Sequence, residues 1–143
     1  MHRTIALFAL SFCAAMAAGP PDLSGTWRLE NRGTDPRLKS ETLVIHQGDD
    51  SVEITQERTA KNGKELKDDI QCNTLGQECK LKNEQVSLYY NGALLVLIET
   101  HNDTVTKTRF SASEDGKTLN MEVTHMSPGN PRTENLTFIK AQP

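Results

Sequence analysis

Apolar and polar side chains alternate with a period of two along most of the chain beyond residue 22, and no window carries an apolar stripe at helical spacing. One alternating set runs through Trp27 and Leu29, Leu43 and Ile45, Val52 and Ile54, then Val86, Leu88 and Tyr90. It continues through Leu119, Met121 and Val123 to Leu136 and Phe138. Successive strand side chains point to opposite faces, so this pattern specifies antiparallel strands with one buried and one wet face. Ala93 to Ile98 is apolar on both parities, which predicts a strand whose outer face is covered as well.

Turn-forming residues punctuate the pattern at Gly48-Asp49-Asp50, Asn62-Gly63-Lys64, Asn91-Gly92, Asn102-Asp103, Glu114-Asp115-Gly116 and Pro128-Gly129-Asn130-Pro131. Such spacing predicts successive hairpins, and Asn91-Gly92 reads as a two-residue type I′ turn with φ > 0 at both central positions. The fold class is therefore all-β: an antiparallel meander of eight to ten short strands. A sheet with a single apolar face must hide that face and its edges. A small up-and-down barrel does both, and a two-sheet β-sandwich is the alternative.

Residues 1–17 differ in kind. A short basic start (His2, Arg3), an apolar stretch from Ile5 to Met16, and small residues at Ala15 and Ala17 followed by Gly19, Pro20 and Pro21 read as a cleaved signal peptide. Residues 18–143 then form a single domain, of which about 30 % is hydrophobic. No later window reaches the roughly 20 apolar residues of a membrane helix, so no membrane span is expected. The whole chain has a formal net charge of −3, and its charges are spread without long runs, so nucleic acid is not an expected partner. Cys13 leaves with the leader. Cys72 and Cys79 remain as a pair in an oxidising compartment, secreted or periplasmic, and are expected to form a disulfide.

The segment Asp22 to Glu30 reads DLSGTWRLE and resembles the first strand of lipocalin-type barrels, whose hallmark Gly-x-Trp is here Gly25-Thr26-Trp27. It is more closely similar to small secreted bacterial proteins that open with a GTWKL-like strand and continue through Thr-rich hairpins, as KSETLVIHQGDDSVEITQE and SEDGKTLNMEVTH do here. The resemblance implies a lipocalin-like β-barrel of unassigned function, with structural roles for Gly25 and Trp27. It also implies that Trp27 pairs with a basic residue from a late strand, either Arg109 or Lys140.

The chain carries no G-x-S-x-G, H-E-x-x-H, P-loop, G-x-G-x-x-G or C-x-x-C spacing, so no catalytic residues, no enzyme activity and no cofactor are expected. His46, His101 and His125 all sit near strand ends. Three imidazoles there have the chemistry to share a metal, but they read as rim or surface residues, and no metal site is expected. Asp49-Asp50 and Asp68-Asp69 lack the ligand rhythm of a calcium loop.

The chemistry that remains is apolar. Trp27 should plug one end of a barrel, which leaves space for a small apolar ligand only at the other, bounded by Tyr90, Leu97, Phe110 and Met121. A body this short also allows an interior simply filled by side chains. The sequence thus points to a non-enzymatic protein that binds a small apolar ligand or an envelope protein partner. The alternative is an inhibitor of a periplasmic or secreted hydrolase, with the Cys72 to Cys79 loop as its contact. An opening lumen favours the first and a protruding loop the second.

Overall fold

The computed structural model describes residues 19–31, 36–81 and 84–142. The leader expected at residues 1–17, with Cys13, lies outside the described residues. Each alternating apolar set falls on a strand: β1 (Gly25–Asn31), β2 (Leu38–Gln47), β3 (Ser51–Ala60), β4 (Glu65–Asn73), β5 (Cys79–Leu81), β6 (Glu84–Asn91), β7 (Leu94–His101), β8 (Thr104–Ala112), β9 (Thr118–Met126) and β10 (Arg132–Lys140). They form one antiparallel sheet in the order β4-β3-β2-β1-β10-β9-β8-β7-β6-β5. A single sheet that curls until its ends approach is a nearly closed up-and-down barrel, which excludes the two-sheet sandwich.

The inward parity is the apolar one. Trp27, Leu43, Ile45, Val52, Leu88, Leu95, Leu119 and Phe138 are all buried. Register explains how they meet: Trp27 lies between Leu43 on β2 and Lys140 on β10, while Leu88 faces Leu97 and Phe110 faces Met121. Val96, on the outward parity of β7, is only 1 % exposed and lies in register between Tyr89 and Arg109, as the doubly apolar segment predicts.

Because β1 begins where β2 ends, the meander sorts its connections onto two rims. One end is closed. Leu23, with no exposed surface, lies beneath Trp27, whose indole Nε1 donates to the Leu23 carbonyl at 2.9 Å. Gln47 fastens this plug: its Oε1 accepts from the Leu23 amide at 2.6 Å, and its Nε2 donates to the Pro21 carbonyl and to the Tyr90 hydroxyl. The Lys140 ammonium sits 5.3 Å from the Trp27 ring centroid, a cation–π distance. Gly25 makes room for that stem, since a Cβ there would stand 3.0 Å from Lys140 Cε, and its φ of +139° disfavours any side chain. Arg109 instead pairs with Glu122 on the outer surface.

The expected hairpins form, with one shift. Asn91 pairs with Leu94, so the two-residue loop is Gly92-Ala93 rather than Asn91-Gly92. Gly92 has φ +58° and Ala93 has no positive φ, which is the type II′ arrangement with glycine at the first central position. One left-handed residue suffices for that turn. Asn91 is therefore released to extend β6.

The sheet's two ends, β4 and β5, share no ladder and leave a seam. Among the described residues the seam is stapled near the closed end, by the Cys72–Cys79 disulfide, a bridge between Leu75 and Tyr89, and a hydrogen bond from the Gly76 amide to the Leu88 carbonyl. At the opposite rim six residues separate β1 from β2, and the β3–β4 and β7–β8 connections are briefer still, at four and two residues.

Candidate functional site

Each strand that packs apolar residues near the closed end carries its inward parity on towards the open rim, and there the side chains turn polar. On β2 the series Ile45, Leu43 continues to Glu41, and on β3 Val52, Ile54 continues to Gln56 and Arg58. On β4 Cys72, Ile70 continues to Asp68, on β7 Leu95, Leu97 continues to Glu99 and His101, and on β8 Phe110 continues to Thr108 and Thr106. The rim-ward members of these series surround a cavity of about 1210 Å³, whose lower wall is Leu43, Ile54, Leu97, Phe110, Met121 and Leu136. Above it lies the polar band, and exposed Lys61, Asn62 and Leu66 stand at the rim. The interior is not filled. Pockets for small molecules typically measure roughly 300 to 1,000 Å³, so this one is ample.

The polar band is organised by charge. Gln56 Nε2 donates to Glu41 Oε1, and Arg58 Nη2 pairs with Asp68 Oδ2. His101 Nδ1 stands 4.0 Å from Glu84 Oε1, and Thr106 Oγ1 lies 3.4 Å from His125 Nδ1. Burial raises the carboxyl pKa of Glu41 above its ordinary value, against the Gln56 hydrogen bond and the Arg58 charge that lower it. Glu99 is pushed up from 4.5 to about 7, first by burial, then by the like charges of Glu84 and Asp68, with Arg58 opposing. At neutral pH its carboxyl is therefore close to half ionised.

Of the residues expected around a ligand, Leu97, Phe110 and Met121 line this cavity. Tyr90 does not; its hydroxyl is engaged by Gln47 at the closed end. Trp27 lies in the packed half, away from the cavity. The three histidines do not converge, because His46 is exposed near the closed end while His101 and His125 line the open one. Among the described residues no group of His, Cys, Asp or Glu is placed to hold a metal ion. Strand alternation also gives Asp68 and Asp69 different partners: the first lies on the inward parity and pairs with Arg58, whereas the second accepts from the Thr55 hydroxyl. The Cys72 to Cys79 loop is strapped to β6 through Leu75 and Gly76 rather than projecting freely.

Sequence reading missed Glu41, Gln56, Arg58, Glu99 and Thr108. The signal was present in strand parity, since each follows an apolar series by two or four residues.

A barrel closed at one end and hollow at the other is the lipocalin-like arrangement. No protein-family model matches the chain, and no curated protein matches its sequence. Solved structures do match. Wild-type fluorescent protein UnaG superposes with a TM-score of 0.61 at 16 % identity, covering 83 % of this chain and 97 % of that one. Echinococcus granulosus fatty-acid-binding protein 1 gives a TM-score of 0.63 at 12 % identity, over 84 % and 98 % of the two chains. Zebrafish ileal bile acid-binding protein complexed with cholic acid gives 0.56 at 14 % identity, over 82 % and 98 %. At these identities the likeness establishes the fold.

Proposed function

We propose that the protein is a non-enzymatic binder of small apolar molecules, which it holds inside the open half of the barrel, and that it acts outside the cytoplasm after losing residues 1–17. The observation that carries this reading is the cavity of about 1210 Å³ above an apolar floor. A space of that size lined by Leu97, Phe110, Met121 and Leu136 forgoes packing that a purely structural barrel would use, unless something fills it. Two of its structural likenesses are proteins named for binding fatty acid and bile acid, which supports an amphiphile-sized occupant. The Cys72–Cys79 disulfide suits an oxidising compartment.

Titration with N-phenyl-1-naphthylamine, an uncharged fluorescent probe, tests the site. Wild type should show saturable one-to-one enhancement, and the double variant Leu97→Trp/Met121→Trp, which fills the floor with two indoles, should bind at least about tenfold more weakly while keeping its β circular dichroism. Absence of saturable binding by wild type would sink the proposal. The intact mass of exported protein tests the leader: it should correspond to a chain starting at Ala18.

A further inference from the structure

We propose that the cavity selects amphiphiles bearing a protonated amine, with the ammonium held between Glu41 and Glu99 and the apolar body resting on Leu97, Phe110 and Met121. The proposal rests on the reading of the cavity as a ligand site and names the class of ligand.

The first argument is the balance of interior charge. The cavity lining carries six carboxyl groups, among them Glu41, Asp68, Glu84 and Glu99, against three cationic side chains, Arg58 within and Arg37 and Lys61 exposed at the rim. Arg58 is already held by Asp68. An anionic headgroup would find Nη2 of Arg58 engaged, with its buried Nε alone unpartnered among the described residues, and a surplus of carboxylates repelling it. A cationic headgroup meets the opposite situation, inside a wall where charge is screened less than in water.

The second argument is independent of charge counting. Glu41 is only 3 % exposed, and its one hydrogen bond among the described residues uses Oε1, which leaves Oε2 for another donor. Thr108 is 5 % exposed and lines the cavity, and its hydroxyl makes no hydrogen bond among the described residues. In register it sits beside Leu97, one inward step below Glu99. Buried polar groups normally have partners. Glu41 Oε2 and the Thr108 hydroxyl can both accept where the apolar floor meets the acidic band, and an ammonium carries up to three donors.

The titration of Glu99 gives the proposal a proton signature. The charged or titratable groups that face it are Glu84 from β6, Asp68 from β4 and Arg58 from β3, with His101 on its own strand and His125 held by neighbouring Thr106. A bound cation favours the ionised carboxylate. Amine affinity should therefore rise as pH goes from about 6 to 8.

Three probes with matched tails decide the matter: dodecylammonium, dodecanol and dodecanoate, each displacing N-phenyl-1-naphthylamine below its micellar concentration. At pH 8 dodecylammonium should bind about tenfold or more tighter than dodecanol, with dodecanoate weakest, and the preference should shrink at pH 6. Glu99→Gln should weaken the amine on the order of tenfold and leave dodecanol unchanged, as expected for loss of one charge-assisted contact. Glu41→Gln should act likewise. Glu57→Gln, on the outward face of β3, should change nothing. Dodecanoate matching or exceeding dodecylammonium in wild type overturns the proposal, and so does an amine preference that survives both inward substitutions or falls with Glu57→Gln. Failure of dodecanol and the fluorescent probe to bind at all would instead refute the cavity as a ligand site.

Discussion

Trp27 and Glu99 mark opposite uses of the same inward parity. Trp27 is fully buried, hydrogen-bonded through its indole to Leu23 and overlain by Lys140. Trp27→Ala should cost about 3 to 5 kcal/mol in chemical denaturation, the range for emptying a large aromatic site. Lys140→Met, which keeps the stem and removes the charge, should cost less than about 1 kcal/mol, because the ammonium is solvent-accessible. Glu99 works the other way. Its carboxyl pKa of about 7 lies above the ordinary 4.5, so the native state holds a proton that the unfolded chain has released between those values. The resulting penalty is absent below about pH 4.5, grows as pH rises through 7, and is complete above it. Without ligand, Glu99→Gln should stabilise the protein by roughly 1 to 2 kcal/mol at pH 8 and by almost nothing at pH 4.5, measured by urea denaturation at both. Trp27 was legible in the sequence because its apolar character and its strand agree. Glu41 and Glu99 were not, because a charged residue at the end of an apolar series reads as the point where a strand meets water. Here that water lies inside a lumen.

At the scale of elements, alternation located the strands that have a single apolar face, apolar residues on both parities marked β7, and the turn residues placed their ends. The loop between β6 and β7 was misplaced by one residue because Asn91 and Gly92 both tolerate φ > 0, and only the observed pairing shows which of them the turn uses. The seam could not be read at all. Which strands lack a partner depends on how far the sheet curls, and the short β5 carries little signal. The seam makes β4 the element to watch: its mouth-side portion, Glu65 to Gln71, pairs with β3 alone among the described residues. Amide exchange there should be faster than in β2 or β9, each flanked on both sides, and equal protection would contradict the gap. The staple across the other half closes a loop between residues seven apart in sequence. Cys72→Ala/Cys79→Ala should lower stability by roughly 2.5 kcal/mol, and thiol titration of the denatured, unreduced chain from Ala18 should find no free thiol.

For the molecule as a whole, the class of fold followed from periodicity, whereas the hollow did not. Volume is a property of closure, and strands with the same parity can surround a packed interior or an empty one. The closed end is packed because Leu23, Trp27 and the Gln47 network occupy it, and the open end has no equivalent plug among the described residues. At the open rim the β3–β4 and β7–β8 hairpins, of four and two residues, bear on how fast a ligand would enter and leave. Hairpins this brief hold no segment long enough to fold over the opening, so on the proposed reading no slow gating step should precede entry. Association with an apolar amine should therefore be a single concentration-dependent phase in stopped-flow, faster than about 10⁶ M⁻¹s⁻¹, with selectivity among ligands expressed in their residence times. On the proposed reading, such a mouth suits rapid exchange more than long-term storage.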